Sequence, residues 1–250
     1  MILRRVIAHM KQQHWTAIGI ELLIVVVGVF IGTQVSNWND ARIERNLARG
    51  DLSQIAADLR SQMEFQRTLE ASARLRISAV DYIQQQAFGT ALPTTLHLAS
   101  ETWSAPTVEP FPQDRMDELM SAVNLVRVSL RSRSAYQSLI SSGRMAQLSN
   151  RRLAEQIQNY YGDYDDLLST ATMFRGFRND GVRDQYPLGI SVFDQRPAAE
   201  IVALARANPG FAAYLRTQRE WAILHYNLLH DLSPKTNALL KAIDAELARP

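Results

Sequence analysis

The chain has 250 residues, with 27 Lys and Arg against 25 Asp and Glu, and no cysteine. That length carries one or two domains. The missing cysteines exclude disulfides and thiolate metal sites, and a net charge of +2 is too small for a general nucleic-acid binder, which relies on a strong basic excess. The excess itself sits at the start: Arg4, Arg5 and Lys11 against Glu21 precede Asn37, and the remaining chain is neutral.

Residues 1–14 form a basic flank. Trp15 and Trp38 then bracket an apolar stretch in which every residue from Leu22 to Gly32 is apolar or glycine. The helix between the two tryptophans would span about 34 Å at 1.5 Å per residue. A bilayer core is roughly 30 Å thick, and Trp favours its two interfaces. Residues 15–38 are therefore expected to form a transmembrane anchor, with Trp15 and Trp38 at the membrane interfaces. A cleaved signal peptide needs small residues at −3 and −1; residues 33–38 read Thr-Gln-Val-Ser-Asn-Trp, so the anchor is expected to stay attached. Arg4, Arg5 and Lys11 before the span balance Arg42, Arg45 and Arg49 after it. The flank has no acid before Glu21, which tilts the expectation towards a cytoplasmic N-terminus and a large C-terminal domain on the far, periplasmic side.

At about 100° per residue, Glu21, Val25, Gly28, Gly32, Val35 and Asn39 fall on one face of that helix. Gly28 and Gly32 form a small-x-x-x-small pair that permits close backbone approach in lipid. A glutamate inside a span is costly against hydrocarbon and usually faces protein or water. This face is expected to be a helix–helix contact. The competing reading is that Glu21, roughly 9 Å inside Trp15 by helical rise, snorkels to the near interface.

Residues 41–86 contain no proline. Ile43, Leu47, Leu52, Ile55, Leu59, Met63, Leu69, Ala73, Ile77, Val80 and Ile83 recur at three- and four-residue steps, one amphipathic stripe, with Arg60, Glu64, Arg67 and Glu70 on the solvated side. The anchor is expected to run on into a stalk over 39–88. Residues 89–112 hold Pro93, Pro106, Pro110 and Pro112 and read as a loop. A helix is expected from about Gln113 through Met116, Leu119, Met120 and Val123. A short extended piece is expected where Val126, Val128 and Leu130 alternate, and a short helix over Tyr136 to Ser142 closed by Gly143 at the C′ position. Asn150 suits an N-cap for a helix through Ile157, Tyr164 and Ala171. Residues 175–195, with Gly176, Gly181, Pro187 and Gly189, read as a second loop. Asn208-Pro209 opens a last helix with proline at its first position, kinked or restarted at Ser233-Pro234. The fold class expected is all-α: one transmembrane helix continuing into a long amphipathic helix, then an irregular antiparallel helical bundle over 89–250.

Two blocks carry a resemblance. In "IGIELLIVVVGVFIGTQVSNWND", Glu21, Gly28, Gly32, Gln34, Val35, Asn37, Trp38 and Asn39 match an N-terminal signature of Gly-Glu, an apolar run, spaced small residues and a closing Gln-Val-Asn-Asn-Trp-Asn-Glu; Ser36 replaces the usual first Asn, and Ile20 separates Gly19 from Glu21. In "SAYQSLISSGRMAQLSNRRLAEQIQNYY", Tyr136, Leu139, Ser142, Gly143, Asn150 and Leu153 match a second pattern, with Met145 and Leu148 in place of the typical Leu and Ile. The chain thereby resembles an uncharacterised family of bacterial single-pass membrane proteins. The resemblance implies an architecture, N-terminally anchored in the bacterial inner membrane, and no chemistry.

Catalytic signatures are missing. No Gly-rich phosphate loop, G-x-S-x-G elbow or H-E-x-x-H occurs, so no catalytic residue, metal or cofactor is assigned. His225 and His230 are five apart, on different faces of a helix, whereas a metal pair prefers four. Asp163, Asp165 and Asp166 lack the spacing and closing Glu of a calcium loop and read as a solvated face. Between Glu118 and Glu155 there is no acid, yet Arg127, Arg131, Arg133, Arg144, Arg151 and Arg152 lie there. Arginine forks recognise carboxylate, phosphate and headgroups, and Arg144, Arg151 and Arg152 are the first candidates for anion binding. The competing reading pairs these arginines with acids elsewhere. The function expected is a non-enzymatic scaffold, sensor or accessory subunit of a membrane complex. Its partners are the lipid bilayer and either further copies of itself or other membrane subunits, and it does not bind nucleic acid. The alternative is a transport-related subunit whose Glu21 lines a pore or proton path.

Overall fold

Nothing between Trp15 and Phe88 stops a helix, and the chain forms one, α1 (Trp15–Phe88), of 74 residues. At 1.5 Å per residue it is about 110 Å long. Gly89, with φ +67°, ends it by donating its N–H to Gln85 O at 2.9 Å, a left-handed closure that glycine adopts without Cβ strain. The computed structural model describes residues 15–98, 101–127 and 132–249, with side chains from 19 to 97, 101 to 127 and 132 to 249. Of it, 79 % is helix and 3 % strand, so the class is all-α as expected. After α1 come a hairpin, β1 (Thr95–Leu98) and β2 (Glu101–Ser104), α2 (Leu119–Val123) behind a 3-10 turn, α3 (Ser134–Ser141), α4 (Arg151–Arg183), α5 (Ala198–Ala207) and α6 (Pro209–Leu247).

Three long helices make the domain. Along α1 and α6 the pairings run in opposite senses: Arg49 Nη2 donates to Leu247 O at 2.7 Å, Arg60 Nη2 to Asp244 Oδ1 at 2.7 Å and Arg74 Nη2 to Tyr226 OH at 2.9 Å, while Arg219 Nε returns to Asp81 Oδ1 at 2.6 Å. The two helices are therefore antiparallel. The third, α4, also lies antiparallel to α6, from Asn150 bonded to Glu246 at one end to Gly181 against Tyr214 at the other. One apolar cluster joins Leu52, Ile55 and Leu59 to Leu139, Leu153, Ile157, Leu229 and Ile243. A second joins Val80 and Ile83 to Leu119, Met120, Val182, Ile201 and Phe211. Each fully buried aliphatic side chain contributes about 1.5–3 kcal/mol.

The stripe on α1 explains this packing and corrects one expectation. Residues 39–88 are not a free-standing stalk. From Ala48 onwards α1 is the central helix of the domain, its stripe covered chiefly by α6, with α2, α3 and α5 packed along it. Packing begins where α6 ends, so Ile43 and Leu47, both on the spacing-derived stripe, stay 48 % exposed. The stripe is also less apolar than its spacing implies, because Gln62, Gln66 and Arg76 are buried on it.

Two loops also differ from expectation. Residues 89–112 contain the antiparallel hairpin, registered Thr95↔Ser104 and Leu96↔Trp103. Leu96 and Trp103 lie on one face and pack with Val108 on Ile77 and Ile223, the alternation of a half-buried strand. Residues 175–195 are not a loop throughout: α4 runs through Gly176 and Gly181 to Arg183. Helix α5 fills part of the stretch that followed it. The expected extended piece at Val126–Leu130 lies partly outside the described residues.

The caps follow the sequence more closely. Asn150 Oδ1 accepts from Leu153 N at 3.1 Å, and Gly143 (φ +74°) follows α3. Pro209 opens α6, although Asn208 turns its side chain back to Leu204 O at 3.0 Å instead of capping α6. Pro234 stays inside α6 without breaking it. Its missing N–H leaves the carbonyl of His230 without its helical donor, and that turn borders an open groove of about 580 Å³ between α1 and α6.

Gly181 is in the helix for a tertiary reason. A Cβ there would lie 2.7 Å from Cε2 of Tyr214, whereas one at Gly176 would meet nothing within 4 Å. Gly181→Ala is expected to lower the melting temperature, at a cost of about 1–3 kcal/mol of overpacking. Gly176→Ala is expected to raise it, through about 1 kcal/mol of helix propensity. Thermal unfolding of the two variants checks the opposite signs.

Candidate functional site

The predicted contact face lies on an unpartnered helix. From Gly19 to Ile43 every residue is exposed, and no part of the apolar window is buried. Glu21, Val25, Gly28, Gly32, Val35 and Asn39 all stand in the open, and a Cβ at Gly28 or Gly32 would meet nothing within 4 Å. Soluble proteins rarely leave so large an apolar surface uncovered. Thr33, the one hydroxyl in the middle of the span, is satisfied locally by donating to Phe30 O at 2.8 Å, as polar groups in hydrocarbon must be. Trp38 is exposed at 63 %, as an interfacial residue would be. Trp15 begins α1, and its side chain lies outside the described residues, as do Arg4, Arg5 and Lys11. The helix is long and apolar enough to cross a membrane.

The structure separates the three candidate arginines. Arg144 turns inward. Its Nε and Nη2 donate to Asp51 Oδ2 at 2.9 and 2.8 Å, and Nη2 also reaches Ser138 Oγ at 2.8 Å, with both charged side chains only 15 % exposed. That pair ties the turn after α3 to α1 and engages Nε and Nη2 of the guanidinium within the fold. Arg151 and Arg152 stand exposed in the first turn of α4 and make no ion pair with another described residue. Of the other arginines in the acid-free stretch, Arg131 lies outside the described residues. Arg133 is bound by both Nη atoms to Asp165, and its guanidinium lies 5.4–5.8 Å from the ring centres of Tyr136, Tyr161 and Tyr164. Its hydrogen bond to the Asp165 carboxylate holds it above its ordinary pKa. The reading that pairs these arginines with distant acids therefore describes Arg133 and Arg144.

Beside Arg133 is a cavity of about 10 Å³, lined by Asp58, Gln62, Tyr160, Tyr161 and Tyr164 among others, the size of a single water. Burial pushes the Tyr160 phenol up to about 12 and raises Tyr161 as well, so neither is an acid or base near neutral pH. Asp163 pairs with Lys235 at 2.7 Å. No group of three or more His, Cys, Asp or Glu suited to a metal occurs among the described residues. His230 stacks on Tyr226 at the surface. His225 is buried, and desolvation together with the charge of Arg76 pushes it down to about 3, so it is neutral at physiological pH.

Sequence reasoning missed a polar seam at the waist of the domain, between the two apolar clusters. Its centre is Arg76, fully buried with no carboxylate against it. Its Nε donates to Val123 O at 3.4 Å, and Nη2 donates to Gln218 O and Oε1 at 3.2 and 3.3 Å. Around it Tyr214 OH donates to Asn124 Oδ1, and Arg178 Nη1 donates to Asn124 O at 3.0 Å. Desolvation pushes Arg76 down to about 10. One signal for it was present: Arg76 falls seven residues after Leu69 and four before Val80, a position where the stripe calls for an apolar residue. No family model, curated protein or solved structure matches this chain, so the reading of these surfaces rests on their geometry.

Proposed function

We propose that this chain is a single-pass membrane protein without enzymatic activity, acting as a scaffold, sensor or accessory subunit that associates through α1 within the bilayer. The supporting observation is the division of α1: residues 19–43 are uncovered, and apolar or glycine throughout from Leu22 to Gly32, while from Ala48 the same unbroken helix is the core of a folded domain. A helix so shared transmits any tilt or rotation in the membrane to the domain as a rigid body. The resemblance to N-terminally anchored bacterial membrane proteins points the same way, and the acid-free basic flank before Glu21 favours the domain on the periplasmic side of the inner membrane. Glu21 makes the uncovered face a contact face, since a carboxyl turned to lipid is costly and a neighbouring helix offers it a hydrogen-bond partner.

The test is a paired set in membranes: Glu21→Ala, Gly28→Leu and Gly32→Leu, against Phe30→Leu off the face. Association, measured by energy transfer between labelled copies and by co-purification in mild detergent, is expected to fall for the first three and survive in the fourth. Equal association in all four sinks the contact face and leaves a simple tether. A transport role is the second reading, motivated by the same unpartnered carboxylate. Proton conductance by a reconstituted oligomer, abolished by Glu21→Ala, favours it.

A further inference from the structure

The end of the domain from which α1 leaves for the apolar span is built from three separate parts of the chain. They are α1 from 39 to 49, the turn and first residues of α4 from 147 to 152, and the end of α6 from 246 to 249. Arg49 binds α6 there through the carbonyls of Leu247 and Arg249 at 2.7 and 2.9 Å, and Asn150 binds Glu246 at 3.0 Å. Two shallow grooves meet at this end. One is lined by Arg45, Arg49, Leu148 and Arg249, the other by Arg152, Gln156 and Arg249, and both include Glu246. The arginines thus form one continuous surface, although they are about 100 residues apart in sequence.

Its charge is lopsided. The three segments hold six arginines (Arg42, Arg45, Arg49, Arg151, Arg152 and Arg249) against three acids, Asp40, Glu44 and Glu246. Glu246 is already held by Asn150 and by Arg249 at 2.7 Å. The end of the domain therefore carries a local excess of three positive charges in a chain whose total is +2. At the same end the first N–H groups of α4 have no intrahelical acceptor, and the opposing carbonyls at the end of α6 are met by Arg49.

We infer that this arginine surface docks the domain onto the phosphates of anionic phospholipids in the leaflet from which α1 emerges. The inference rests on α1 being a membrane anchor. With Trp38 at the hydrocarbon edge, Ala48 lies about 15 Å further along the helix, and the headgroup layer occupies roughly the first 5–8 Å of that. The remaining gap is about one Debye length at physiological salt; Arg42, about 6 Å past Trp38, reaches the headgroup layer and Arg45, about 10 Å past it, lies in the gap. Guanidinium forks match phosphate oxygens, and basic segments flanking a span are attracted to anionic lipid within that range. Docking fixes the tilt of the domain on either side of the membrane, whichever way the chain is inserted. Arg144, spent on Asp51, takes no part.

The full-length chain is reconstituted in nanodiscs of pure phosphatidylcholine and of phosphatidylcholine with phosphatidylglycerol, and amide exchange is followed over 147–153. Exchange is expected to slow by roughly ten-fold in the anionic discs. The slowing should be lost in 0.5 M salt, about three-fold or more above physiological ionic strength, and lost in the triple variant Arg45→Gln, Arg151→Gln, Arg152→Gln. Arg49 is left alone because it closes α6. Equal exchange in the two discs overturns the docking and leaves the anchor standing. Slowing in neutral discs on adding inorganic phosphate also overturns it, since the surface would then bind an anion without lipid. A chain that enters neither disc and stays soluble without detergent overturns the anchor, and the docking with it.

Discussion

Arg76→Met is expected to make the domain more stable. The arginine is 1 % exposed and has no carboxylate partner, and its hydrogen bonds to Val123 and Gln218 are long, at 3.2–3.4 Å. Desolvation lowers its pKa from the ordinary arginine range to about 10, which corresponds to a penalty on the order of 3 kcal/mol for keeping it charged in the fold. Methionine removes that penalty and fills similar space, but it leaves Gln218 Oε1 and Val123 O without this donor, which costs about 1 kcal/mol each. The net gain is about 1 kcal/mol, or roughly 2–4 °C in Tm for a domain of this size. Arg76→Met with Gln218→Leu is expected to gain more. The sign with pH follows from linkage. The folded state holds Arg76 less firmly protonated than the unfolded state does, so the penalty is fully present below about pH 10. It is relieved as pH rises above that value towards the ordinary arginine range. The advantage of the variant should therefore be flat from neutral pH to pH 9 and shrink above it. A clear loss of Tm in both variants would mean that Arg76 is net stabilising, with an anionic partner in solution.

Deleting residues 1–37 is expected to convert a detergent-requiring protein into a soluble one with an intact helical fold. The apolar clusters draw on α1 only from Ala48 onwards, and no side chain from Gly19 to Ile43 is covered. The truncation therefore removes membrane affinity without removing core. Helical circular dichroism should persist, and the melting temperature should stay within the few degrees that about 1 kcal/mol represents. Aggregation or loss of helicity would show that the domain depends on the membrane or on a partner for its fold. Ile43 and Leu47 remain exposed in the truncated chain, and charged replacements there should improve its solubility without lowering its Tm.

Local signals were legible where the cause is local. The span of 15–38 needs no partner to be recognised, because its length between two tryptophans and its charge-free centre over 22–32 make it long and apolar enough to cross a bilayer. The N-cap at Asn150, the left-handed Gly143 and Pro209 at the head of α6 are decided within four residues, and all three are present. The period of the α1 stripe correctly placed Leu52, Ile55, Leu59, Ile77, Val80 and Ile83 in the interior. The face containing Glu21, Gly28 and Gly32 follows from helical rotation, and none of the described residues covers it.

Other features required the partners. Gly181 reads as a helix breaker until Tyr214 is seen against it at a distance that excludes a Cβ, and so α4 extended past its expected end. Arg144 and Arg151 look alike in sequence, seven apart in an acid-free stretch, but Asp51 on α1 takes one and leaves the other in solvent. Arg76 lies on an apolar stripe and is buried by its neighbours, because a helix that packs on two sides cannot turn one residue out to water. The sequence by itself determined where this chain is apolar, where its helices begin, and that one of them is built to leave the domain. Tertiary structure alone decided which charges are spent inside and which remain at the foot of the domain. Ion pairs between residues 93 apart, such as Asp51 and Arg144, depend on distances that no local pattern encodes.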